Sequence, residues 1–176
     1  MRVIGGEFRS RLLKSLPGLN VRPTPDRLRE ALFNVLAPRI EGASFADLYA
    51  GTGAVGIEAL SRGAARAVFV EQNRAALGVL RQNLKSLGLE SRAEVRQGKA
   101  SALLDAINAD MVFLDPPYDL EHEYETALVK LGKRAPELVI VQNGVRLKLK
   151  ESYGDLHQTR VLRQGDNCLS FFSPRY

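Results

Sequence analysis

Asp47-Leu48-Tyr49-Ala50-Gly51-Thr52-Gly53-Ala54-Val55-Gly56 decides the reading of this chain. Gly51, Gly53 and Gly56 spell G-x-G-x-x-G between an apolar run at 44–49 and a helical pattern at 54–62. Glycines at such a turn let backbone approach a ligand closely, and a helix N-terminus lies behind them. Glu71 follows Gly51 by 20 residues, at the end of the next strand, where its carboxylate can accept from both ribose hydroxyls. These features predict a site for a nucleotide-type cofactor; a tight strand–helix turn is the plainer alternative. Asp47 bears on which cofactor. A carboxylate just before the loop would repel a pyrophosphate, whereas it suits the cationic amino-acid portion of S-adenosylmethionine. Tyr49, Thr52 and Gln72 complete this candidate cofactor set.

Around the loop, strand and helix patterns alternate. Strands are predicted at 44–49, 67–70, 93–96, 111–114 and 138–141, with helices at 54–62, 73–87, 100–107 and 121–131. Met111–Leu114 is a near-continuous apolar run, the pattern of a strand buried on both faces of a parallel sheet. The segments 156–162 and 168–173, separated by Gly165-Asp166, read as an antiparallel hairpin. The expected fold is α/β and Rossmann-like: a seven-stranded, mostly parallel sheet ending in that hairpin, with helices on both faces.

Residues 1–40 stand apart from the body at 41–176. They carry eight basic and three acidic residues, against 17 of each in the body, so the whole net charge of +5 sits in this segment. Such a basic arm fits a polyanionic partner, or a merely solvated tail. Two short strands are expected at 1–8 and 10–16. A helix should follow, with Thr24 as N-cap, Pro25 in its first position, and Leu28, Leu32, Val35 and Leu36 as one apolar stripe. One cysteine and two isolated histidines exclude an internal disulfide and point to no metal site. No apolar run reaches membrane-span length, and no signal peptide is evident; a complete, cytoplasmic, monomeric protein is expected.

The most specific signal is Asp115-Pro116-Pro117-Tyr118, just after the buried run. Ligands bind at the carboxyl ends of parallel strands. The two prolines fix φ and leave carbonyls to accept hydrogen bonds. A base amino group has two protons to donate, and the Asp115 carboxylate and Pro116 carbonyl are two acceptors. Binding both would free the nitrogen lone pair for in-line attack on a sulfonium methyl. Tyr118 could stack on the target base.

Together, the glycine loop, Glu71 and the DPPY tetrad resemble the class I amino-methyltransferases. MRVIGGEFRSRLL, RPTPDRLREALFNVL and DLYAGTGAVGIEALSRGA are similar to the RsmD family, bacterial small-subunit (16S) ribosomal RNA guanine-N2 methyltransferases. That resemblance covers almost the whole chain. It implies S-adenosylmethionine as methyl donor, with S-adenosylhomocysteine left after transfer, and a guanine in ribosomal RNA already carrying some ribosomal proteins. It implies an RNA grip by Arg2, Arg9, Arg11 and Lys14, and an Arg22-Pro23-Thr24 turn near the active site. Two departures are visible. Gln97-Gly98-Lys99-Ala100 stands where many relatives have an acid, so backbone of Lys99 and Ala100 is expected to read the cofactor adenine. Val141-Gln142-Asn143 stands where family members often have an acid.

Competing readings are an adenine-N6 DNA or RNA methyltransferase, a nicotinamide-dependent oxidoreductase, and a non-catalytic RNA-binding assembly factor. The first usually needs a target-recognition domain that 176 residues leave no room for. The second leaves the tetrad and the basic arm unexplained.

Overall fold

A computed structural model describes residues 1–18, 24–117 and 119–174. Five parallel strands form the centre: β1 (Ser44–Asp47), β2 (Arg66–Glu71), β3 (Ala93–Gln97), β4 (Met111–Leu114) and β5 (Leu138–Gly144). Three antiparallel strands extend them: β6 (Ser152–Tyr153), β7 (Leu156–Gln164) and β8 (Asn167–Pro174). The sheet order is β3-β2-β1-β4-β5-β8-β7-β6. The strand order reverses between β1 and β4, which opens a crevice at their carboxyl ends.

Alternation along each strand builds two cores. Phe45, Phe69, Met111, Phe113, Ile140 and Phe171 face α1 (Asp26–Leu36), α2 (Ala54–Ser61) and α3 (Arg74–Ser86). Ala46, Val68, Val70, Val112, Leu114, Val139 and Phe172 face α4 (Ala100–Leu103) and α5 (Glu121–Gly132). Both faces are covered, which is why these strands read as unbroken apolar runs. Asn73 caps α3, its side chain accepting from Ala76 N–H at 3.0 Å.

Four expectations need correction. The sheet has eight strands among the described residues, because Ser152–Tyr153 turns back on β7 through Gly154 at φ +58°. Two residues are too short for a periodic signal. The helix expected over 100–107 stops at Leu103 and continues as a 3-10 turn, Leu104–Ala106; this turn leads to the buried Ile107, three residues after the buried Leu104. The two N-terminal strands reduce to one bridge, Arg2 with Leu12, flanked by turns. Thr24 is not the N-cap. Pro25 occupies that position, and the buried Thr24 hydroxyl lies 3.0 Å from Gln142 Oε1 instead.

Candidate active site

Adjacent strands β1 and β4 carry the two central carboxylates, Asp47 on the last residue of β1 and Asp115 just past β4. Both line a cavity of about 180 Å³ that Met1, Ser15, Leu16 and Thr24 close from the N-terminal side. A larger cavity of about 500 Å³ opens beside it, within the range of small-ligand sites. Tyr49, Gly51, Glu71, Gln72, Lys99, Ala100, Asp115, Pro116 and Pro117 all line this cavity, so most of the expected cofactor set converges there. Tyr49, Gly51 and Asp115 border both spaces. Thr52 lines the smaller one. Arg22, Pro23 and Tyr118 lie outside the described residues.

The glycines divide the work differently from the motif's usual reading. Gly51 lines both cavities at φ +57°. Gly53 and Gly56 answer to the protein. A Cβ on Gly53 would lie 2.3 Å from Leu80 Cδ1, and one on Gly56 would lie 2.3 Å from the Phe69 ring. They allow close helix–strand packing behind the loop.

Glu71 braces the loop as it stands. One oxygen accepts from Gly51 N–H at 2.8 Å, the other from Gln72 and Asn73 N–H at 3.0 Å each. Asp47 is split in role. Its Oδ2 accepts from Gly56 N–H at 3.0 Å, while the buried Oδ1 has no partner among the described residues. Burial, opposed by the Gly56 hydrogen bond and reinforced by Glu71, pushes the Asp47 carboxyl up to about 7. Burial and then the nearby Asp47 charge push Asp115 up to about 8. The Tyr49 hydroxyl donates to Glu123 Oε2 at 2.7 Å; burial and that bond raise its pKa. Pro116 is buried, and its carbonyl lies 3.3 Å from the Tyr124 hydroxyl rather than facing only outward. One lone pair remains for a ligand.

The basic arm is docked, not free. Ile4 and Gly5 N–H donate to the two oxygens of Glu58 at 2.8 and 2.9 Å, and Ser61 Oγ donates to Gly5 carbonyl at 2.6 Å. Arg2 and Arg9 are exposed. Arg11 reaches the Ser86 carbonyl and Lys14 the Gln82 side chain, both at 3.1 Å, so these two cations also hold the arm on α3. Asn83 joins arm to loop: its Oδ1 accepts from Lys14 N–H at 2.8 Å, and its Nδ2 donates to the carbonyls of Lys14 and Thr52 at 3.1 and 3.0 Å.

Sequence reasoning missed Glu58, Arg29, Asn83 and Tyr124. A lone acid in the otherwise apolar turn Gly56-Ile57-Glu58-Ala59-Leu60 was the available signal for Glu58. Asn83→Ala removes three hydrogen bonds at once and should destabilise the fold by about 1–3 kcal/mol. Amide exchange should then quicken both in the arm and at residues 50–53. Faster exchange in only one of the two segments would show that Asn83 does not bridge them.

Comparison with known proteins agrees with this geometry. A family model described as "Conserved hypothetical protein 95" matches residues 1–173. The Bacillus subtilis protein YlbH is 33% identical over 99% of this chain and 100% of its own length. An Escherichia coli (strain K12) protein named "Ribosomal RNA small subunit methyltransferase D" is 38% identical over 93% of this chain and 86% of its own. The solved structure of the Escherichia coli protein yhhF superposes with a TM-score of 0.86 at 36% identity, covering 99% of this chain and 97% of that one. With arm and body matched as one unit, the chain belongs to the family described as conserved hypothetical protein 95, the RsmD-like family of class I methyltransferases.

Proposed function

We propose that this chain is a ribosomal RNA methyltransferase that moves a methyl group from S-adenosylmethionine to the exocyclic N2 amine of a small-subunit guanine. The observation that carries this reading is the pairing of Asp47 and Asp115 at adjacent strand ends, both facing one cavity beside the glycine loop. The name of the Escherichia coli relative supports the RNA substrate and the small subunit.

The residues fit S-adenosylmethionine better than a dinucleotide. The buried Asp47 Oδ1 lacks a partner among the described residues, and an ammonium would supply one. The same carboxylate would oppose a pyrophosphate. When bound, the cofactor supplies an electrophilic methyl on a positively charged sulfur. Gly51 and the Lys99–Ala100 backbone line the cavity that would hold its nucleoside, with Glu71 at the ribose.

The chain's own part in the transfer is positioning and electrostatics. Asp115 and the free lone pair of Pro116 carbonyl accept the two amine protons and orient the nitrogen lone pair. Once the nitrogen is methylated it becomes acidic, and the Asp115 carboxylate is placed to take the released proton. Tyr118 offers a ring to stack on the base. Arg2 and Arg9, exposed on the arm, hold RNA phosphates. Arg2→Glu with Arg9→Glu should weaken RNA binding and flatten its salt dependence, with cofactor affinity unchanged; equal loss of both would make the arm purely structural.

The test is transfer of radiolabel from S-adenosylmethionine to small ribosomal subunits from cells lacking the enzyme, followed by nucleoside identification. Label in N2-methylguanosine is expected. Label on adenine would overturn the guanine assignment, and no label on naked RNA, protein-bearing RNA or whole subunits would overturn the activity.

A further inference from the structure

The arm is not the chain's one basic surface. Val145-Arg146-Leu147-Lys148-Leu149-Lys150 leaves the carboxyl end of β5, at the same edge of the sheet as the glycine loop and the tetrad. Arg146, Lys148 and Lys150 are exposed, while Leu147 and Leu149 pack into the core under α4 and α5. Val3 and Leu13 of the arm belong to the opposite core. The two basic segments therefore flank the tetrad from opposite faces of the sheet.

The segment is built rather than loose. Asn143 Nδ2 donates to the Leu147 carbonyl at 3.3 Å, and its Oδ1 accepts from Ser170 Oγ at 3.0 Å. Val145 N–H donates to the Asp166 carbonyl at 3.0 Å, and Lys150 N–H to the Tyr153 hydroxyl at 2.9 Å. Lys150 is paired with Glu125; Arg146 and Lys148 have no ion-pair partner among the described residues. Behind them lies a cavity of about 300 Å³ lined by Glu121, Tyr124, Val145, Arg146, Leu147 and Asp166. It touches the reaction site through Tyr124, whose hydroxyl meets the Pro116 carbonyl.

The two carboxylates make this cavity hostile to a phosphate and suited to the N–H edge of a base. Arg146, which lines it, and the exposed Lys148 two residues further along have no ion-pair partner among the described residues and suit phosphates. We propose that it receives an unpaired RNA base neighbouring the target, with Arg146 and Lys148 holding the flanking backbone. This rests on the RNA methyltransferase reading above.

The experiment uses the full chain, S-adenosylmethionine and the RNA substrate on which the unaltered protein is active. Arg146→Glu with Lys148→Glu should raise the RNA KM about tenfold or more near 0.1 M salt. It should also reduce the salt slope by about 1.4, for two phosphates on a single strand, with cofactor affinity and thermal melting unchanged. Asp166→Ala should raise the RNA KM several-fold at an unchanged salt slope, since no phosphate contact is lost. An unchanged KM and slope in the double variant overturns the lip; an unchanged KM for Asp166→Ala overturns the base pocket. Absence of transfer by the unaltered protein would instead overturn the methyltransferase reading, and this inference with it.

Discussion

Asp115→Asn should lower the transfer rate by about 100- to 1,000-fold, or about 3–4 kcal/mol of transition-state stabilisation, while leaving the protein folded. The substitution keeps the shape but replaces an anionic acceptor with an amide, whose N–H group would face the substrate amine donor to donor. Stability should move the other way. Burial and the Asp47 charge raise the Asp115 carboxyl to about 8, so ionised Asp115 weakens the ligand-free fold. The sign follows from linkage: this group's share of stability is fully present below the ordinary carboxylate range and is lost as pH rises through about 8. Asparagine removes that loss, so the variant should melt at least as high as the unaltered protein above pH 8. Transfer needs the carboxylate, so the unaltered rate should climb with pH, pass half its maximum near 8 and level off above it, and the step should vanish in the variant. Single-turnover rates across pH, alongside melting curves, check all three. A variant equally slow and less stable would make Asp115 a structural residue.

Glu58→Ala should be the costliest single change in the scaffold, about 3–5 kcal/mol, out of a total of about 5–15 for a domain. Glu58 is fully buried and faces Arg29 Nε at 3.6 Å, itself fully buried, and Arg62 Nε at 3.0 Å. Burial already lowers the Arg29 pKa, and Glu58 is the leading opposing influence. Nε and Nη1 of Arg29 have no hydrogen-bond partner among the described residues, so the ion pair is their compensation. Removing Glu58 leaves that buried cation with the largely exposed Asp26 and the Arg2 carbonyl, and also releases Ile4 and Gly5 N–H. Replacing the pair together, as Arg29→Met with Glu58→Leu, should recover part of the loss but not the arm's two hydrogen bonds. Urea unfolding gives both values; a single-variant loss under about 1 kcal/mol would refute the argument.

The parts legible in the sequence are those that local chemistry dictates. Gly51 to Gly56 needed only a strand before and a helix after. Asn73 capped α3 as its side chain demands, and Asp115 fell at a strand end because an apolar run preceded it. What stayed hidden depends on distant partners. Thr24 is a good cap by type, yet Gln142, far along the chain, takes its hydroxyl. Arg29 sits beside the apolar stripe of α1 as a surface residue would, and its burial depends on Glu58 and the Arg2 carbonyl, both distant in sequence, as well as on Asp26. Charge totals gave a similar blind spot: a body with balanced charge still presents Arg146 and Lys148 together at one edge.

The place of β8 in the sheet has a consequence for the timing of synthesis. The last strand among the described residues, β8, lies inside the sheet, between β5 and β7, and buries Leu169, Phe171 and Phe172. Until those residues leave the ribosome, β5 keeps a bare edge, and Asn143 lacks the hydroxyl of Ser170. The sheet beyond β5 therefore cannot close on a nascent chain until residues 167–174 have emerged. Loss of Asn167–Pro174 would act on the whole fold, because that strand is interior to the sheet.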